Sequence, residues 1–327
     1  MLLALGSVLA LVYHPVLTRH YAMADDYPYL WVVTTGELGY FHWLSAMGRP
    51  LYEWISVVLY QAMATTGQLG WIRALTLLGT VLFAGQIALA ARRTGWSSLE
   101  VFCLAVLVTT SAAFGVYLAW SVCFNVPYAA SAGFLAAGLA LRAESWSRIG
   151  HRVAARTTAV VLLMIGLMLY QPAAMAYWLY PALMLFAPRP VVPGWSVMLR
   201  LLGLFGLALG LYWLLHRWQL QSLLTLDPGL GAPAGRGRLS VDPLAKLVVL
   251  IESLGLAASV GRFVPAWPVA AMVAGLALVG VRAAWRHSGD DRVPLYALAL
   301  LPLGYLPNLL VEQNAVPVRV VGILSAL

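Results

Sequence analysis

The stretch WIRALTLLGTVLFAGQIALAA, residues 71–91, decides the fold class. It is apolar over the roughly 20 residues that an α-helix needs to cross a bilayer, and Arg92-Arg93 follows it directly. Similar runs recur along the 327 residues, of which 62% are hydrophobic and only 10% are charged. A mean hydropathy of +0.84 excludes a soluble protein and predicts an all-α chain embedded in a membrane.

The apolar runs predict a polytopic transmembrane helical bundle of about nine to ten spans, organised as a single integral membrane domain over residues 1–327. The segment 157–186 is too long for one upright span and is interrupted by Tyr170-Gln171-Pro172, so we expect two short helices that meet there. The other predicted spans are 1–17, 71–91, 99–116, 126–141, 197–216, 267–281 and 293–311.

Arginines set the predicted orientation. They gather in the short loops, which places those loops in the cytoplasm. Two long segments, 18–70 and 217–265, then lie on the outer face, and each contains a pattern typical of an interfacial helix, over 51–62 and 242–262. Residues 322–327 look like the opening of another span, so we expect the natural protein to continue beyond this C-terminus.

The formal net charge of +8 does not indicate nucleic-acid binding, because the arginines are dispersed among apolar segments rather than collected on a polar domain. Cys103 and Cys123 have no zinc-type spacing. His14, His20 and His42 lack the H-E-x-x-H arrangement, so we interpret them as surface histidines. No P-loop and no G-x-S-x-G motif occurs, which argues against a primary pump and against a hydrolase of that type.

The first candidate site is the acidic pair Asp25-Asp26, which follows the first span. Two adjacent carboxylates are costly in hydrocarbon, at about 2.5–3.5 kcal/mol each near a helix centre, so they must lie in water or in a polar cavity. One of them could act as a general base on an acceptor hydroxyl, and adjacent residues point in different directions. The alternative is a solvated cap of the helix that begins near Tyr27.

Further candidates lie at the predicted outer ends of spans. Arg49 could neutralise a phosphate or could simply snorkel to lipid headgroups, and Tyr27 could stack on a sugar or belong to an interfacial aromatic belt. Tyr170 and Gln171 could offer polar groups to a ligand or form a plain turn between helices. The last three candidates, with a hydrated helix end as the alternative, are Asn308, Glu312 and Arg319.

These residues together resemble the GT-C superfamily of membrane glycosyltransferases, and within it the O-antigen-modifying glucosyltransferases that use polyprenyl-phosphate glucose. The resemblance rests on Asp25-Asp26-Tyr27 after the first span, Gly48-Arg49 in the same loop, Tyr170-Gln171 between short spans, and the long second outer loop. It implies an outward-facing cavity, an inverting transfer without a metal or another cofactor, Asp25 or Asp26 as the acidic catalytic residue, and Arg49 as a phosphate or structural partner.

The expected function is therefore transfer of a hexose, with glucose as the first choice, from a polyprenyl-phosphate donor to a cell-envelope glycan or lipid-linked acceptor. We expect the protein in a bacterial inner membrane with the site facing the periplasm or exterior. A transporter or flippase of a lipid-linked sugar is the alternative. Transporters typically have paired broken helices and ionisable groups near mid-membrane, whereas this sequence has one clear break.

Overall fold

The computed structural model describes residues 1–63, 65–188, 192–231, 242, 245–246, 248–252, 266–304, 306 and 309. Within these residues the regular structure is helical, as the sequence predicts. The α-helices are α1 (Leu2–Thr18), α2 (Asp26–Thr35), α3 (His42–Ala46), α4 (Pro50–Gln61), α5 (Leu69–Arg93), α6 (Ser98–Thr109), α7 (Ala112–Ala119), α8 (Asn125–Ala143), α9 (Ile149–Ala174), α10 (Leu179–Leu185), α11 (Trp195–Leu226), α12 (Ala266–Ser288) and α13 (Arg292–Gly304).

Four helical segments in the described part of the chain are long and apolar enough to cross a membrane. They are Thr66–Arg93, Ser121–Ala143, Ile149–Leu185 and Trp195–Leu226. A fifth span is added if α6 and α7, which meet at an angle of 61°, are counted together. The structure thus confirms an all-helical chain with several membrane-crossing segments, while the count of nine to ten spans is not confirmed.

The predicted span 99–116 is not one continuous helix. Helix α6 ends at Thr109, and α7 begins after Ser111, which occupies its N-cap position. Thr109 and Thr110 both turn their hydroxyls back onto carbonyls of the preceding turn. Such backbonding bends helices, which gives a physical reason for the break.

Helices α5, α8 and α9 form the centre of the bundle. Helix α8 is rich in Ala and Gly, and its small side chains let the neighbouring backbones approach closely. At Gly133 an added Cβ would lie only 2.1 Å from the carbonyl oxygen of Ala174, so a larger residue does not fit there. At the other end of α8, Glu144 accepts hydrogen bonds from Arg156 and Arg200, which ties α8 to α9 and α11.

The chain reverses within α9, at Tyr170. This residue has an extended backbone (φ −164°, ψ 104°) inside an otherwise helical run. A Cβ built on Gly166 would lie 3.2 Å from the Cβ of Ala174, whereas residues eight apart in a straight helix are separated by about 12 Å. Residues 149–169 and the segment after the break are therefore two legs that lie side by side. This confirms the break predicted at Tyr170-Gln171-Pro172.

The first long segment folds back onto the bundle. The predicted interfacial helix 51–62 is α4, which buries Tyr52, Ser56 and Tyr60 and packs against α2, α3 and α9.

The predicted second loop starts later than expected, because α11 continues to Leu226 rather than ending near residue 216. Most of the remainder of 217–265 lies outside the described residues, although Asp242 accepts a hydrogen bond from the backbone N–H of Ala245, as expected of an N-cap.

Candidate functional site

The two adjacent aspartates have different environments. Asp26 is fully buried, and Asp25 is partly exposed. Both lie at the start of α2, directly after Ala24, whose positive φ of 26° is uncommon for a residue with a side chain. This turn directs the two carboxylates to different surroundings, as expected for neighbouring residues.

Asp26 holds four parts of the chain together. Its Oδ1 accepts hydrogen bonds from the Tyr60 hydroxyl on α4 and from the Val122 backbone N–H, both at 3.2 Å. Its Oδ2 accepts from the Met23 N–H at 3.0 Å and lies 3.9 Å from Arg73 Nη2 on α5. Burial raises the pKa of Asp26, while the Met23 hydrogen bond and the Arg73 charge act to lower it. With no exposed surface and these partners, Asp26 is a structural anchor.

Arg73 is the partner that sequence reasoning missed. It is fully buried, donates to the carbonyls of Arg19 and Tyr21, and lies 3.7 Å from the centre of the Tyr21 ring. The available signal was an arginine three residues into an otherwise apolar span. Such a residue needs a buried partner, and Asp26 is the counterion that the fold supplies.

Asp25 acts electrostatically on a tyrosine of the same segment. Burial, and then the negative charge of Asp25, raise the pKa of Tyr40. Tyr40 in turn packs edge-on against Tyr29 and Trp43, with ring centres 6.3 and 6.4 Å apart. Asp25 occupies the N-cap position of α2 without accepting a capping hydrogen bond from that helix, so the cap alternative does not account for its side chain.

Three predicted residues that are far apart in sequence come together at the break in α9. Arg49 Nε donates to Gln171 Oε1 at 3.2 Å, and the guanidinium carbon lies 4.7 Å from the centre of the Tyr170 ring. Gln171 Nε2 lies 3.0 Å from the Gly48 carbonyl and 3.2 Å from the Met47 carbonyl. The sequence predicted each of these residues separately, and the structure places them in one cluster.

Tyr212 of α11 completes this cluster and was not predicted. Its hydroxyl donates to the Gly48 carbonyl at 2.8 Å and accepts from Gln171 Nε2 at 2.6 Å. Gly48 is required here, because its φ is +81° and an added Cβ would lie 2.1 Å from the Tyr212 hydroxyl. His216, one turn along α11, stacks on the Tyr212 ring. Nothing in the apolar sequence of α11 marked Tyr212 as different from a core residue.

The guanidinium of Arg49 is suited to bind an anion. The side chain is only partly buried, and its hydrogen bond to Gln171 uses Nε, so this contact does not occupy the two terminal nitrogens. The Tyr170 ring and the Gln171 amide hold the planar group in place. Because a fixed guanidinium presents paired N–H groups that match two phosphate oxygens, the cluster can bind a phosphate at little entropic cost.

A second titratable pair lies beside Arg49. His42 Nδ1 is 2.8 Å from Glu53 Oε1, and Glu53 is in the first turn of α4, for which Arg49 is the N-cap residue. The interpretation of His42 as an ordinary surface histidine is therefore incomplete, because 43% of the side chain is exposed but one ring nitrogen is paired with a carboxylate. The sequence separation of eleven residues gave no sign of this contact.

Tyr27 lies on the exposed side of α2. It is 58% exposed and borders an apolar groove of about 590 Å³ that runs between α2 and the turn at Thr65-Thr66. Trp31, one turn further along α2, is 65% exposed in the same groove. The remaining lining residues are Pro28, Leu30 and Thr34.

Asn308, Glu312 and Arg319 lie outside the described residues, so their place relative to the cluster stays a prediction. Within the described ranges, no three His, Cys, Asp or Glu side chains come together as ligands for a metal ion.

Comparison of the chain with protein-family models, curated proteins and solved structures found no match. The resemblance to the GT-C superfamily therefore remains an expectation from a few residues.

Proposed function

We propose that this protein is a membrane glycosyltransferase that moves a hexose from a polyprenyl-phosphate donor to a cell-envelope glycan or lipid-linked acceptor. Glucose is the first sugar to test. The observation that carries the proposal is the fixed guanidinium of Arg49 between Tyr170 and Gln171, at the point where a membrane-embedded helix breaks. The proposed reaction is inverting and takes place at the outer face of a bacterial inner membrane.

Arg49 is assigned to the phosphate of the donor. In such a donor the phosphate oxygen bonded to the sugar C1 carries away the bonding electron pair, so negative charge increases there during transfer. A preorganised cation at that oxygen stabilises the transition state more than the ground state. The apolar groove beside Tyr27 and Trp31 is assigned to part of the prenyl chain, because its lining is apolar and it opens from the same loop.

Asp25 is assigned to the acceptor. Of the two aspartates, only Asp25 has exposed surface, and its charge acts on Tyr40, which packs against Trp43 in an aromatic pair on which a sugar can stack. Its carboxylate can contact an acceptor hydroxyl either as the proton acceptor or through a hydrogen bond. Asp26 is assigned no direct role, because its oxygens are occupied by Tyr60, Val122, Met23 and Arg73.

The experiment is transfer of radiolabelled sugar from polyprenyl-phosphate glucose to envelope glycan in membranes that contain the full chain. We expect Arg49→Gln to lower the rate by about 10²–10³-fold, as for loss of one preorganised donor. The matched control is Arg92→Gln, which removes an exposed arginine in the last turn of α5, at the other end of that helix from Arg73, and should change the rate by less than about twofold. Absence of transfer by the wild-type protein from any polyprenyl-phosphate hexose would overturn the proposal.

A further inference from the structure

We infer that His42, oriented by Glu53, takes the proton from the acceptor hydroxyl, and that Asp25 binds the acceptor through a hydrogen bond. This inference rests on the proposed transfer reaction and adds to it a base that lies outside the acidic pair. It also makes Glu53 a positioning residue, because the carboxylate acts through the imidazole rather than on the substrate.

The geometry of the pair fixes the tautomer of His42. The distance of 2.8 Å between Nδ1 and Glu53 Oε1 is that of a hydrogen bond, and an ionised carboxylate can only accept. Nδ1 therefore carries the proton, and in the neutral ring Nε2 carries the lone pair. Because 43% of the His42 side chain is exposed, a hydroxyl can reach that lone pair.

The burial of Glu53 strengthens this orientation. Its side chain is only 16% exposed, and its Oε2 is buried without a hydrogen-bond partner in the part of the chain that the structure describes. Among the described residues, His42 is thus the side chain that donates a hydrogen bond to the Glu53 carboxylate. A half-buried carboxylate that holds one ring nitrogen of a histidine is the arrangement that orients a general base in many enzymes.

The pair is placed next to the proposed phosphate site. The Glu53 N–H donates to the Arg49 carbonyl at 2.9 Å, which closes the first turn of α4 and sets the two residues one helical turn apart. The base that deprotonates an acceptor hydroxyl must lie close to the sugar C1, and C1 is one bond from the phosphate oxygen. A proton acceptor one turn from the phosphate-binding arginine meets that requirement.

The transfer step balances with these groups alone. The acceptor oxygen forms a bond to C1 while the bond from C1 to the phosphate oxygen breaks, and its electron pair leaves with polyprenyl phosphate. The acceptor proton passes to Nε2 of His42, and the resulting imidazolium is stabilised by the Glu53 carboxylate. Loss of this proton to water restores the neutral imidazole.

Other titratable groups lie on the elements that pack against α3, the helix that carries His42. Helix α4 contributes Arg49 and Glu53, and the turn Leu38–Phe41 is preceded by Glu37. Helix α11 and the turn Pro228–Leu230 complete the surroundings. They contribute His216, Arg217 and Asp227.

The test compares sugar transfer as a function of pH in wild type, His42→Ala, Glu53→Gln and Asp25→Asn, all as the full chain in membranes. The wild-type rate should fall at the pH where the base becomes protonated, and this acidic limb should be lost with the residue that acts as the base. We expect His42→Ala to lose about 10²–10⁴-fold in rate and to lose this limb of the profile. Added free imidazole should restore part of its activity, which a purely structural role would not allow.

Glu53→Gln should keep substrate affinity and lower the turnover rate by about 10–10²-fold, because the ring loses the carboxylate that orients it. His151→Ala is the matched control, because His151 is exposed at the other end of the first leg of α9 and should leave the rate unchanged. The inference is overturned if His42→Ala retains the wild-type rate and profile, or if only Asp25→Asn abolishes the limb. A wild-type protein without transfer activity removes the proposed function and this inference with it.

Discussion

At the scale of single residues, the buried ion pair of Asp26 and Arg73 leads to the most specific prediction about stability. Two opposite charges without any exposed surface stabilise a fold only while both are present, because either one alone is left buried without a counterion. We expect Asp26→Asn to lower the free energy of unfolding by about 3–5 kcal/mol, whereas Asp25→Asn changes it little. Thermal unfolding of the purified variants in detergent measures both.

The double variant Asp26→Asn/Arg73→Gln serves as the control for that comparison. It removes both charges, so its loss of stability should be smaller than the sum of the two single losses. Equal stability of Asp25→Asn and Asp26→Asn would contradict the assignment of Asp26 as the anchor.

Gly48 tests the Arg49 cluster without removing a charge. Gly48→Ala introduces a Cβ against the Tyr212 hydroxyl, and it also places a side chain at a φ of +81°. Gly36→Ala is the matched control, because Gly36 has a φ of +77° but nothing within 4 Å of an added Cβ. Both variants should lose about 1–2 kcal/mol in the free energy of unfolding, because a residue with a Cβ is strained at positive φ.

Only Gly48→Ala should in addition displace Tyr212 and Gln171, and hence Arg49, so it should lower sugar transfer much more than Gly36→Ala does. Thermal unfolding and the transfer assay on the two variants separate strain from displacement. Equal activity of the two variants would mean that the contacts of Gly48 do not position Arg49.

The sequence identified several site residues by type but not their partners. Asp25, Arg49 and Gln171 stood out because polar residues are costly at a membrane boundary. The partners Arg73, Glu53 and Tyr212 lie 47, 11 and 41 residues from the side chains they contact, which are Asp26, His42 and Gln171, and such contacts depend on how the helices pack. No local pattern records that packing.

At the scale of the helices, the reversal at Tyr170 determines where the cluster lies. If the chain turns back there, cysteines at positions 166 and 174 should form a disulfide. A Cβ built on Gly166 lies 3.2 Å from the Cβ of Ala174, which is close to the distance of about 3.5–4.5 Å between the Cβ atoms of a disulfide. Gly166→Cys/Ala174→Cys is made after Cys103 and Cys123 have been replaced by serine. Oxidation should then block labelling of the two new thiols by maleimide.

Leu77→Cys/Gly85→Cys is the control pair, because these residues are also eight apart but lie on the unbroken α5. Its thiols should stay open to maleimide after oxidation. Free thiols at positions 166 and 174 under the same conditions would show a straight helix there, and the contacts of Gln171 with Gly48 would then need another explanation.

The helices were more predictable than the loops between them. Continuous apolar runs such as 71–91 correspond to long helices, because burial in lipid requires both apolar side chains and paired backbone groups. The break in α9 was predicted because proline removes a backbone donor. The break between α6 and α7 was missed, since threonine and serine bend a helix without interrupting the apolar pattern.

At the scale of the whole molecule, the structure supports a membrane protein whose first long segment packs onto the end of a helix pair. Helix α4 brings Arg49 to the break in α9, and α2 and α3, which carry Asp25 and His42, pack against α4. The proposed function requires this position to lie at the bilayer surface, where a substrate can have one part in the bilayer and another in water. This is the property that a polyprenyl-phosphate sugar requires of its enzyme.

The most direct test of this account uses the purified full chain in proteoliposomes with polyprenyl-phosphate glucose, labelled in the sugar, and a glycan acceptor. The measurement is release of free polyprenyl phosphate together with labelled glycan. The account predicts that both products form in equal amounts and that Arg49→Gln slows both. Movement of intact labelled donor across the bilayer, with no free polyprenyl phosphate, would contradict it and would establish a transporter instead.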